Sequence, residues 1–167
     1  MQMSTPWEEQ PTKASGMLNV LTILTFIGSG LQIIGSVMNF FTAKTAYDSR
    51  EEQAAQMFNE NVPSAVKNMM GTREEFLEMI IKNYENRLPI MILGLLGAAL
   101  CIYGAIQMRS LKKQGFPIYV VGQAVPIIGN VVLISAASIL SVSGMIGLVI
   151  PVLFIILYFT QRKQLIY

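Results

Sequence analysis

The apolar positions of the chain form long uninterrupted stretches, and the longest covers residues 116–160. These 45 positions contain no Asp, Glu, Lys, Arg or His. A charge-free apolar stretch longer than about 18 residues is typical of a transmembrane helix, and one crossing takes about 20 residues. Two crossings therefore fit here, and we predict that the chain turns back at residues 141–144, where Ser-Val-Ser-Gly interrupts the aliphatic pattern.

Two further apolar stretches lie upstream, so the pattern predicts an all-α polytopic membrane protein with four transmembrane helices and a helical extracytoplasmic loop. Span four is the shortest of the predicted spans, and it is long enough for a full crossing only if residues of the adjoining turn are part of the helix. The predicted segments are a tail at 1–16, span one at 17–41, the loop at 42–88, span two at 89–108, a basic connection at 109–115, span three at 116–140, an outer turn at 141–144, span four at 145–160 and a tail at 161–167.

Positive charge predicts the orientation of these spans. The connection at 109–115 holds three basic residues and no acidic residue, and Arg162 and Lys163 follow span four. The positive-inside rule therefore places this connection and both termini in the cytoplasm. The loop then lies outside, where its six basic residues are outnumbered by eight acidic residues.

The loop is predicted to be helical. Residues 45–59 are rich in helix-forming residues, Pro63 ends that segment, and residues 64–70 predict a second short helix. Thr-Arg-Glu-Glu at 72–75 is typical of a capping box and starts a third helix. Along it, apolar residues recur at spacings of three and four. This apolar face, which we interpret as packing within the loop or as a candidate contact for a partner protein, consists of Phe76, Leu77, Ile80, Ile81 and Tyr84.

Composition agrees with a membrane protein and excludes several functions. Of the 167 residues, 53% are hydrophobic and 13% are charged, against about 25% charged in soluble domains. The net charge of +2 is too small to indicate a nucleic-acid partner. The chain has no His and a single cysteine, Cys101, so it cannot form an internal disulfide and lacks the commonest acid/base residue. We expect no catalysis, no cofactor and no metal.

Neutral amides interrupt two of the apolar spans. Gln32 and Asn39 lie seven residues apart in span one, and Gln123 and Asn130 lie seven apart in span three. At about 1.5 Å per residue, Gln32 and Asn130 lie at a similar depth, about 20 Å from one membrane face. We interpret these amides first as hydrogen bonds between helices and second as the lining of a solute or ion path. The spans hold no ionisable group of the kind that a coupled transporter usually needs.

Span two carries a stripe of small residues, which permits close approach of another helix. Packing inside the chain's own bundle and contact with another subunit explain this stripe equally well. Pro126 and Pro151 are each expected to kink a span, but prolines are common in membrane helices and carry little functional weight. The stripe consists of Gly94, Gly97, Ala98, Cys101 and Ala105.

Two short segments carry a resemblance. The leader STPWEE at residues 4–9 and LKKQGF at residues 111–116 resemble small bacterial tetraspan (four-helix) membrane proteins of unassigned function. The resemblance implies a bacterial inner membrane, and it transfers no site residues.

Three hypotheses for function follow. The first is a non-catalytic accessory subunit whose partners are the lipid bilayer and other membrane proteins; a homo-oligomer is also compatible with the sequence. The second is a small channel or transporter lined by Gln32, Asn39, Gln123 and Asn130. The third, a membrane enzyme, requires an acid/base pair clustered at the membrane surface.

Overall fold

A computed structural model describes residues 14–134, 142–162 and 165. The predictions for residues 1–13, 135–141, 163–164 and 166–167 lie outside these residues. The described residues form helices and no strand, as the sequence predicts. The seven helices are α1 (Gly16–Asp48), α2 (Arg50–Met57), α3 (Ser64–Met70), α4 (Arg73–Glu85), α5 (Arg87–Arg109), α6 (Gly115–Leu133) and α7 (Val142–Gln161).

Three of these helices, α1, α5 and α6, are long and apolar enough to cross a membrane, which indicates a membrane protein. A fourth helix, α7, contains the shorter apolar segment Gly147–Gln161. Its backbone is helical from Val142, so Val142, Ser143 and Gly144 belong to α7 and not to the predicted turn. The first turn of a helix accepts small polar residues, because its amides have no partner within the helix.

Helix α1 is longer than the apolar segment at 17–41 from which span one was predicted. Its 33 residues extend for about 50 Å, whereas the hydrocarbon layer of a bilayer is about 30 Å thick. The helix therefore continues past residue 41 into the predicted loop and ends at Asp48. The predicted helix at 45–59 is divided at Ser49, whose hydroxyl donates to the carbonyl oxygen of Thr45 at 2.8 Å.

Helices α5 and α6 form a closely packed antiparallel hairpin. An added Cβ at Gly104 would lie 2.7 Å from the backbone nitrogen of Tyr119 and 2.8 Å from the carbonyl oxygen of Gly115. An added Cβ at Gly122 would lie 2.8 Å from the backbone nitrogen of Cys101. Glycine is therefore required at these crossings, because the neighbouring atoms belong to the backbone and cannot move aside.

The loop helices pack against the end of α1. The predicted capping box is confirmed, because Thr72 and Glu75 exchange both side-chain-to-backbone hydrogen bonds at the start of α4. The rings of Tyr47 and Tyr84 stack with centroids 4.6 Å apart. We call the end of the bundle where α4 packs against α1 and α5 the loop end, and the opposite end, which holds the α5–α6 connection, the connection end.

Candidate functional site: an amide-lined crevice

Two adjoining cavities lie where α7 stands apart from the other long helices. Their volumes are about 510 Å³ and 530 Å³. We call the two together the crevice. It follows α1 from Leu24 to Asn39, which is about 22 Å along the helix axis. The residues that border both cavities are Gln32, Pro126, Ile127, Asn130 and Gly147.

All four of the predicted amides line this crevice. Gln32 and Asn130 border both cavities, Asn39 borders the first and Gln123 borders the second. Gln32 and Asn130, which the sequence places at similar depth on different helices, therefore face the same space.

Two of these amides also form hydrogen bonds, one between two helices and one within α6. The Gln32 amide donates to the carbonyl oxygen of Gly94 on α5 at 3.2 Å. The Gln123 amide donates to the hydroxyl of Tyr119 at 2.9 Å. Asn130 forms no side-chain hydrogen bond within the part of the chain that the structure describes. Gln32 thus both joins α1 to α5 and borders the crevice, whereas the bond of Gln123 lies within α6.

The fourth amide, Asn39, pairs with a residue that the sequence did not single out. The Asn39 and Asn83 side chains each donate to the other's amide oxygen, at 3.3 Å and 3.2 Å. Asn83 also lines the first cavity. Helical spacing along α4 gave no signal for it, because its partner lies 44 residues away in sequence.

At the connection end the crevice stops against a buried group of hydroxyls. The hydroxyls of Thr25 and Tyr158 are 2.8 Å apart, and the rings of Tyr119 and Tyr158 have centroids 4.8 Å apart. All three residues are buried. They join α1, α6 and α7 here, and Leu18 and Met108 fill the surrounding core.

At the loop end the crevice stops against α4, which contributes Met79, Ile80 and Asn83 to its lining. The Asn86 amide, at the junction of α4 and α5, donates to the carbonyl oxygen of Leu133 at 3.1 Å. This bond joins that junction to the last turn of α6.

The crevice is open on its side, between α1 and α7. Leu24, Leu31 and Ile150 line the second cavity, and their exposed fractions are 44%, 65% and 54%. Added Cβ atoms at Gly28, Gly35 and Gly147, which also line the crevice, would meet no atom within 4 Å. If the long helices cross a bilayer, this opening faces lipid.

The lining of the crevice is neutral. None of the described residues that line either cavity is Asp, Glu, Lys or Arg. The polar groups in the lining are the amides and the hydroxyls of Thr25, Ser29, Ser36 and Tyr119. Such groups bind uncharged carbonyl and hydroxyl groups, whereas a bare charge at this position would lack a counter-charge. Among the described residues, no cluster of three metal-ligating side chains occurs.

The small-residue stripe of α5 is covered by the chain itself. Ala98, Cys101 and Ala105 are fully buried. An added Cβ at Gly97 would lie 2.8 Å from the carbonyl oxygen of Gly122 on α6, and one at Gly94 would collide with Ser36 on α1. The stripe therefore packs against α1 and α6, within the chain.

Much of the apolar face of α4 is also covered. Phe76 makes an edge contact with Phe58, with ring centroids 5.9 Å apart, and Tyr84 stacks on Tyr47. Ile80 is buried, and Leu77 and Ile81 are half-buried. This face packs within the loop and against α1.

Comparisons of the chain with protein-family models, with curated proteins and with solved structures found no match. We therefore infer function from the geometry of the crevice and the chemistry of its lining.

Proposed function

We propose that this protein is a small, non-catalytic membrane transporter that binds an uncharged molecule in the crevice. The observation that carries the proposal is the convergence of Gln32, Asn39, Gln123 and Asn130 on one space. Amides in an apolar environment are costly unless they are paired. Three of the four have a partner within the chain, and Asn130, which has none among the described residues, can bond to a bound molecule beside Gln32.

The topology that we propose has four crossings, with α7 as the fourth, in a bacterial inner membrane. Both termini and the basic connection at 109–115 lie in the cytoplasm, as the positive-inside rule predicts. The connection end of the bundle is then cytoplasmic and α4 lies outside. In this arrangement the crevice is bordered towards both membrane faces, by Tyr119 and Tyr158 on one side and by α4 on the other.

A second candidate function, an accessory subunit of a larger membrane complex, is favoured by the gap beside α7. Gly28, Gly35 and Gly147 would allow the backbone of a partner helix to approach closely. This candidate comes second because other parts of the chain cover both surfaces that a partner would use. Helices α1 and α6 cover the small-residue stripe, and Tyr47 and Phe58 cover much of the apolar face of α4. Those two features were the other reasons to expect a partner.

The experiment that tests the proposal uses the paired variant Gln32→Leu/Asn130→Leu. Leucine has a similar volume and keeps the apolar contacts, but it removes the amides. Protein extracted from its native membrane in mild detergent is analysed by native mass spectrometry. We expect wild-type protein to carry a bound uncharged molecule and the paired variant to lose it.

The matched control is Gln107→Leu. Gln107 is an amide on a long helix that does not line the crevice, and it donates to the hydroxyl of Tyr103 at 2.7 Å. This variant should retain the bound molecule. A wild-type protein that carries only a stoichiometric protein partner would favour the accessory subunit, and equal retention by all three proteins would refute the crevice as the site.

A further inference from the structure

The shape of the crevice restricts the path by which a molecule reaches it. Towards the connection end, Thr25, Tyr119 and Tyr158 leave little space, since none of the three is more than 4% exposed. Towards the loop end, Met79, Ile80 and Asn83 of α4 border the cavity. Among the described residues, the opening that remains lies on the side, between α1 and α7.

The residues at this side opening are apolar and exposed. Leu24, Leu31 and Ile150 border it, together with glycines whose missing side chains leave it wide. A molecule that enters here comes from the hydrocarbon layer. A water-soluble solute rarely partitions into that layer, whereas a lipid-like molecule is concentrated there.

The interior of the crevice has a different chemistry from its opening. Gln32, Gln123 and Asn130 present amides, and Ser29 presents a hydroxyl, between helices that are otherwise apolar. Since no described lining residue is charged, a phosphate or carboxylate group would be desolvated here without a counter-charge. An uncharged group with carbonyl or hydroxyl oxygens would instead receive hydrogen bonds.

We propose that the crevice binds an uncharged membrane-dissolved amphiphile, whose carbonyl- or hydroxyl-bearing head lies beside Gln32 and Asn130 and whose apolar tail leaves between α1 and α7. This inference rests on the proposed function and names the class of molecule for that site. Each cavity has a volume within the range of about 300–1,000 Å³ that is common for small-molecule sites. Two classes of membrane amphiphile have an uncharged head of this kind, namely diacylglycerols and prenyl quinones.

The test uses purified full-length protein in phosphatidylcholine vesicles that contain a photoreactive diacylglycerol or, in parallel, a photoreactive prenyl quinone. After illumination, labelled peptides are mapped by mass spectrometry. We expect labelling of α1 and α7 residues that border the crevice, with competition by the unlabelled form of the same probe. The probe that labels identifies the source.

Two glycine variants provide a matched pair for this test. Gly28→Leu places a bulky side chain in the opening, where an added Cβ meets no atom within 4 Å. Gly30→Leu adds the same side chain two residues along α1, with equally open surroundings but outside the crevice lining. We expect Gly28→Leu to reduce crevice labelling at least fivefold and Gly30→Leu to leave it within twofold of wild type.

The proposal is overturned if neither probe labels the crevice, if Gly28→Leu labels as strongly as Gly30→Leu, or if anionic phosphatidylglycerol competes as well as the uncharged lipids. Its failure is distinguishable from failure of the proposed function. A tailless uncharged molecule, retained by wild type and lost from Gln32→Leu/Asn130→Leu, would keep the function and reject the amphiphile. A crevice empty in every protein and unlabelled by both probes would reject both.

Discussion

The two ends of this helical bundle use polar groups in opposite ways. At the connection end, the hydroxyls of Thr25 and Tyr158 bond to each other inside a closed core. Towards the loop end, the same helices separate, and Asn130, which has no side-chain partner among the described residues, borders open space beside Gln32. A polar group in an apolar environment can therefore stabilise packing or bind another molecule. Which of the two it does depends on whether the chain itself supplies its hydrogen-bond partners.

The glycines show the same contrast. An added Cβ at Gly104 would lie less than 3 Å from backbone atoms of α6. An added Cβ at Gly35 would meet no atom within 4 Å. One glycine permits packing and the other leaves a space free. Glycine-to-alanine substitutions in the two regions should therefore change the free energy of unfolding in opposite directions.

The largest effect is expected for Gly104→Ala. The added methyl group would collide with the Tyr119 nitrogen and the Gly115 carbonyl oxygen, so α5 and α6 would have to move apart. We expect a loss of about 3 kcal/mol of unfolding free energy, at the upper end of the usual cost of overpacking. Unfolding of the purified protein in detergent, followed by circular dichroism, measures it; a loss below about 0.5 kcal/mol would contradict the tight hairpin.

A smaller loss is expected at the closed hydroxyl group. Tyr158→Phe removes the hydroxyl that Thr25 contacts at 2.8 Å and leaves Thr25 buried without that partner. We expect a loss of about 1–2 kcal/mol, the typical cost of leaving a buried polar group unsatisfied. Tyr103→Phe, on an exposed side chain, is the control. The two variants should unfold at clearly different temperatures, and equal midpoints would argue against the closed core.

The amide pair at the loop end is expected to contribute about 1 kcal/mol. Asn39→Leu and Asn83→Leu should each destabilise the protein, because each leaves one amide of the reciprocal pair without its partner. The double variant should cost less than the sum of the two single variants. A double-mutant cycle in unfolding free energy measures this coupling, which is commonly about 0.6 kcal/mol between membrane helices. Strict additivity would show that the two amides act independently.

The smallest effect, and one of opposite sign, is expected for Gly35→Ala. Nothing lies near the added methyl group, and alanine is the better helix former by about 0.5–1 kcal/mol. We therefore expect slight stabilisation in the same unfolding assay. Destabilisation by more than about 1 kcal/mol would show that another element packs on this face of α1.

Local features of the fold were predictable from sequence, because neighbouring residues determine them. The capping box at Thr72 and Glu75 and the helix Ser64–Met70 occur where the sequence indicates. The end of α1 was not predictable from hydropathy. Hydropathy marks where the apolar segment ends, at residue 41, whereas the helix continues through more polar residues to Asp48. The break at Ser49 accompanies the packing of Tyr47 on Tyr84, a contact between distant parts of the chain.

The site was partly predictable for the same reason. Helical spacing placed Gln32 with Asn39 and Gln123 with Asn130, and depth counting brought Gln32 level with Asn130. Spacing could not reveal Asn83, Thr25 or Tyr158, because their partners are 44 and 133 residues away in sequence. It also could not decide whether the small residues of α5 faced α6 or another subunit, since both arrangements require the same residues.

A crystal structure of the wild-type protein grown from a lipidic mesophase would show whether the crevice holds a bound molecule. We expect a filled protein core around Thr25, Tyr119 and Tyr158, and non-protein density beside Gln32 and Asn130 that extends outwards between α1 and α7. A structure in which α7 closes against α1, so that side chains of the protein fill the space beside both amides, would contradict it.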